Sequence, residues 1–160
     1  MSAELSAEAW SALGRVPSGL FILTVRHGDE STGMLASWVQ QCSFDPPQVV
    51  AAFAKERWVL KWLRPHAAFA VNVLAEGQKH LMGHFGKGFA PEDDAFAGLE
   101  VIRGDHAAPV LAEAHAWLDC RVVEKIDAGD HVLVIGKVLN GAVRSEARPA
   151  THIRKSGKHY

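Results

Sequence analysis

The sequence predicts a mainly β protein, an antiparallel barrel closed in whole or in part, with short helices as minor inserts. Two observations carry that expectation. Strand-like apolar runs recur at short spacing between Gly, Pro, Asn and Asp turn signals, most densely in the C-terminal third. No repeat, low-complexity stretch or linker interrupts them, so residues 1–160 read as one domain.

The elements follow in order. Up to Leu13 the chain reads as a short helix, with Glu4 and Glu8 near the end that favours acids, and Gly14 and Pro17 break it. Leu20 to Val25 is a strand of aliphatic and aromatic residues. His27-Gly28-Asp29-Glu30 turns the chain, and Gly33 to Ser43 returns as one antiparallel partner before the double proline Pro46-Pro47. Val49 to Ala54 is a third strand. Trp58, Leu60, Trp62 and Leu63 suit a short helix ended by Arg64-Pro65.

Phe69 to Leu74 is a fourth strand, and Gln78 to Phe85 a helix with Leu81 and Phe85 one turn apart. Gly86-Lys87-Gly88 and Ala90 to Asp94 read as irregular. Trp117 to Ile126 alternates, with Leu118, Cys120 and Val122 on one face and Asp119 and Arg121 on the other. Ala128-Gly129-Asp130 turns into a return strand, His131 to Val138. Asn140-Gly141 then signals a further turn.

Composition narrows the function. A net charge of −1 argues against a nucleic-acid binder, and no apolar run is long enough to span a bilayer. The N-terminus lacks the basic and apolar regions of a signal peptide, which points to the cytoplasm. Cys42 and Cys120 form no CxxC pair and are expected to be reduced, Cys120 as core filler. His80 and His84 lie one helical turn apart, but Leu81 stands where a zinc-protease helix needs Glu. No metal site is expected, and an exposed histidine pair is the better reading.

Candidate chemistry concentrates between Gly33 and Arg57. A strand, a polar stretch with Ser37, Gln40, Gln41 and Ser43, a second strand and the basic end Lys55-Glu56-Arg57 make a plausible cradle for a phosphorylated cofactor. Each part has a plainer alternative. The serines suit an ordinary strand and turn, and Lys-Glu-Arg a solvated surface.

Four ordered blocks carry a resemblance: Gly33 to Pro47, Ala54-Lys55-Glu56-Arg57, Gly129-Asp130-His131, and Arg154 to Tyr160. Together with Phe89-Ala90-Pro91-Glu92-Asp93, they resemble the flavin-reductase-like, FMN-binding split-barrel family. The nearest likeness is the C-terminal flavin reductase domain of photosynthetic flavodiiron proteins. The resemblance implies a six-stranded antiparallel split β-barrel of Greek-key type and a homodimer with FMN near the subunit interface. It implies hydride transfer from NADH or NADPH to flavin, with an acceptor enzyme for the reduced flavin as a possible partner.

The same resemblance implies site residues. Leu35, Ala36, Ser37, Trp38, Val39, Gln40 and Gln41 would lie along the flavin ring, with Cys42 beside it. Ser37, Ser43, Lys55 and Arg57 would hold the ribityl phosphate, Lys55 ahead of Arg57. Trp38 equally suits the ring, a partner subunit or the barrel core. His131 would contact the nicotinamide as the catalytic residue, positioning the donor rather than abstracting a proton. As a plain reading, His131 merely begins a strand after an Asp130-capped turn. The 154–160 tail would fold back near the cofactor or the partner subunit.

Neither a P-loop nor a Rossmann fingerprint is present, and the resemblance does not require one. Two rival readings stay open, a non-catalytic FMN-binding electron-transfer or carrier protein and a split-barrel module binding haem or another ligand.

Overall fold

The computed structural model describes residues 4–105 and 107–160. Helix α1 spans Ala7–Gly14, and the Ser6 hydroxyl caps it by accepting from the Ala9 N–H at 3.2 Å. Glu4 therefore precedes the helix, and the first three residues of the expected helical span lie outside the described residues.

Seven strands form one antiparallel sheet: β1 Phe21–His27, β2 Glu30–Ala36, β3 Val39–Phe44, β4 Pro47–Ala54, β5 Ala68–Val73, β6 Ala116–Ala128 and β7 His131–Val143. Their spatial order is β2-β1-β5-β6-β7-β4-β3. Strands β5, β6 and β7 run consecutively and β4 lies beside β7, which is the Greek-key arrangement.

The fold class is as expected, with one strand more than six. The span from Gly33 to Ser43 is two strands rather than one, because Ser37-Trp38 breaks the ladder. Up to Ala36 it pairs with β1; from Val39 it pairs with β4, at the opposite edge of the sheet. That break reports the closure of the barrel. Laid flat, a seven-stranded sheet would separate its edges by roughly 29 Å. The three Cα steps from Ala36 to Val39 reach at most about 11 Å. The sheet must therefore curl until its edges approach, and their unbonded seam is the split in the barrel.

Alternation along the strands fills two sides of the sheet. Leu23 and Val25 of β1 join Phe69, Val71, Cys120, Val122 and Val134 inside the barrel. Ile22, in the opposite phase, faces outward and packs with Leu81 and Phe85 of helix α2, Lys79–Gly86. Trp58–Lys61 forms a short 3₁₀ turn.

Asn140-Gly141 is not a turn. Both residues lie inside β7, where the register against β6 slips between Val138 and Asn140, and Asn140 Oδ1 accepts from the Gly141 N–H at 2.9 Å. The signal marks a bulge in a long hairpin. His84 also departs from expectation. It is half-buried, bonded through Nε2 to the Ala95 carbonyl at 2.7 Å and packed on Phe85, while His80 is exposed and pairs with Glu113 at 2.9 Å.

Candidate functional site

The barrel seam opens into a cavity of about 320 Å³, a size suited to a small-molecule site. Strand β2 supplies Met34, Leu35 and Ala36, and the break supplies Ser37 and Trp38. The end of β4 supplies Ala52, Phe53 and Ala54, and α2 adds Met82 and Phe85. Around this apolar wall stand Ser37, Arg57, His152 and Tyr160.

Ser37 as a residue is nine-tenths buried, and what it leaves accessible lines the cavity. Because Ser37 lines the cavity, its hydroxyl is open to bond a polar ligand atom. Arg57 is brought back toward the cavity by a tight turn in which its N–H donates to the Ala54 carbonyl at 3.0 Å. No carboxylate lies within ion-pair distance of it among the described residues. Lys55 points elsewhere and pairs with Asp127 at 3.4 Å.

The expected residues therefore divide. Leu35, Ala36, Ser37, Trp38 and Arg57 share the cavity wall. Val39, Gln40, Gln41, Cys42 and Ser43 lie along β3, and Gln40, Gln41 and Cys42 are exposed there. None of the five lines the cavity, and Val39 packs on the barrel core instead. Lys55 lies outside the cavity wall as well.

His131 opens β7 directly opposite Ala54 of β4, after a turn in which Gly129 takes φ +63°. It lines a second cavity of about 640 Å³ that shares Trp38, Ala54 and Tyr160 with the first. Its Nδ1 lies 2.6 Å from Asp130 Oδ1, and its Nε2 bonds the Tyr160 hydroxyl. The hydrogen bond from His131 is the main cause holding the Asp130 carboxyl below the usual carboxylate range. Trp38 packs against both rings, 4.9 Å from His131 and 5.1 Å from Tyr160 between centroids. Arg154 lies 5.1 Å over the Trp38 ring.

Sequence reasoning did not single out Tyr160, Met82, Phe85 or His152 as site residues. The tail does fold back. The Gly157 N–H donates to the Trp10 carbonyl at 2.6 Å, and a Cβ at Gly157 would stand 2.4 Å from that of Leu13. The likeness of the tail to the family pattern was the available signal; the apolar residues of α2 carried none beyond ordinary amphipathicity. Among the described residues no three His, Cys, Asp or Glu side chains gather as a metal site. No helix among them is long and apolar enough to cross a membrane.

Known proteins resemble this chain along nearly its whole length. The flavin reductase like domain model matches residues 13–159. A diflavin flavoprotein A of Nostoc sp. is 44% identical over 158 residues, covering 98% of this chain and 28% of the relative. Diflavin flavoprotein A 1 of Synechocystis sp. is 39% identical over 98% of this chain and 28% of its own length. The chain thus spans about a quarter of the length of the curated relatives it matches. Among solved structures, the NADH:FAD oxidoreductase SgcE6 of Streptomyces globisporus C-1027 superposes with a TM-score of 0.83 at 28% identity, covering 98% of this chain and 95% of that one.

Proposed function

The chain belongs to the flavin reductase-like domain family, and from that premise we propose that it is an NAD(P)H-dependent flavin reductase binding FMN in the seam cavity. One observation carries the reading of the cavity. An otherwise apolar pocket presents the hydroxyl of Ser37 and the cation Arg57, neither with a side-chain hydrogen bond or ion pair among the described residues. An apolar wall suits a planar ring, and a hydroxyl with a guanidinium suits a phosphate.

Met34, Leu35 and Phe85 would hold the ring, and Ser37 with Arg57 the phosphate. Bound flavin supplies the hydride-accepting chemistry. The chain's part is to bind, orient and exclude water. The donor would enter through the second cavity, whose boundary with the first is Trp38 and Tyr160. SgcE6, whose name states NADH and FAD, has been solved with NAD and FAD fragments and superposes at a TM-score of 0.80, which supports a nicotinamide donor. A cytoplasmic homodimer handing electrons to an acceptor protein completes the proposal.

One observation favours a second reading. The curated relatives are diflavin flavoproteins in which the matched segment is about a quarter of the chain. Such a segment could serve as an FMN-binding electron-transfer module, reduced by another protein. Anaerobic visible spectroscopy with FMN separates the two readings. Rapid bleaching of the flavin band by NADH or NADPH is expected for the reductase, whereas bound flavin that neither nucleotide bleaches overturns it in favour of the module.

A further inference from the structure

His131 has no surface in the seam cavity. It lines the second cavity only, whereas Tyr160 and Trp38 line both. The His131 side chain is 12% exposed, and Tyr160 is 64% exposed. Whatever the Asp130–His131 pair does to a molecule in the seam cavity must pass through a neighbouring ring.

The hydrogen bonds identify that ring. An ionised carboxylate only accepts, so the bond between Asp130 and His131 requires the proton on Nδ1. In the neutral imidazole Nε2 is then an acceptor, and it takes the Tyr160 hydroxyl as its donor. Burial and the charges of Asp130 and Glu56 raise the Tyr160 phenol against Arg57 and Arg154, so the hydroxyl keeps its proton. The backbone behind Tyr160 is fixed as well. Arg154 donates to the His159 carbonyl at 2.9 Å while its guanidinium covers Trp38.

We propose that Tyr160 is the side chain through which the Asp130–His131 pair acts on the flavin site, its ring forming a wall of the seam cavity. His131 is then a positioning residue behind it. The ligand named here rests on the flavin-reductase reading; the coupling between His131 and Tyr160 does not.

Tyr160 is the single tyrosine of the chain, so protein labelled with 3-fluorotyrosine gives one fluorine resonance. His131→Ala is expected to move that resonance in ligand-free protein, and FMN to move it in the unsubstituted chain. In turnover with a nicotinamide donor, His131→Ala and Tyr160→Phe should each slow flavin reduction about five-fold, the scale of one hydrogen bond. The double variant should be no slower than either alone. Losses that multiply to about 25-fold, or a resonance indifferent to His131→Ala, overturn the inference. A resonance that FMN leaves in place while fluorescence shows binding overturns it too. If the resonance responds to both changes but neither nucleotide is turned over, the wall and its coupling stand and the reductase reading fails.

Discussion

Removing the guanidinium of Arg57 should weaken FMN binding far more than removing the ammonium of Lys55. The two cations stand two residues apart, yet the structure separates them. Lys55 is engaged with Asp127 at 3.4 Å, outside the cavity, while Arg57 lines the cavity with no carboxylate partner among the described residues. A hydrogen bond to a charged group contributes about 1.5–3 kcal/mol, which corresponds to roughly 10- to 150-fold in affinity. Arg57→Ala should raise the Kd for FMN by that factor, and Lys55→Ala by less than about 3-fold, since an exposed ion pair contributes little. Flavin fluorescence titration measures both. Riboflavin, which has the ring and no phosphate, is the control and should bind the Arg57 variant nearly as well as the unsubstituted chain. An equal loss for riboflavin would refute the phosphate role of Arg57. A larger loss from Lys55→Ala would restore the ranking expected from the sequence.

Further expectations concern the core. A Cβ added at Gly136 would meet the buried ring of Phe69 at 2.2 Å, so Gly136→Ala should cost about 3 kcal/mol, the upper end for overpacking. Chemical denaturation should show it, with Phe69→Leu partly rescuing the variant. In native protein a thiol reagent should modify exposed Cys42 alone, and buried Cys120 only after denaturant is added. Burial, reinforced by Asp119, pushes the Cys120 thiol up to about 12 from 9.0. The folded state therefore keeps a proton that the unfolded chain releases. This contribution is complete below pH 9.0 and is lost as pH rises toward about 12. Alkaline denaturation curves should show a shallower decline for Cys120→Ala than for the unsubstituted chain.

The sequence alone determined what depends on neighbours along the chain. Alternation placed Cys120 and Val122 in the core, and the one-turn spacing placed Leu81 and Phe85 on the buried face of α2. Turn residues located the hairpin at Gly129-Asp130, and with it His131. Local signals failed where closure of the barrel outweighed them. Asn140-Gly141 has turn chemistry, but a long β6–β7 ladder absorbs it as a bulge, because the pairing on either side contributes more than the turn would. Gly33 to Ser43 reads as one strand, and nothing within it says that the sheet's two edges meet at Ser37-Trp38.

That meeting decided the site. It turned Ser37 toward the cavity and left Gln40, Gln41 and Cys42 exposed along an edge strand. The sequence ranks Lys55 ahead of Arg57, but Asp127, more than seventy residues later, claims Lys55 across the hairpin. Tyr160 reaches Trp38 and His131 only because the tail docks on α1, where Gly157 leaves room beside Leu13. Periodicity is a property of a segment, while a cavity belongs to surfaces brought together from distant parts of the chain. The elements could therefore be read from residue order, but the choice of residues that face the cavity waited on the closing of the sheet.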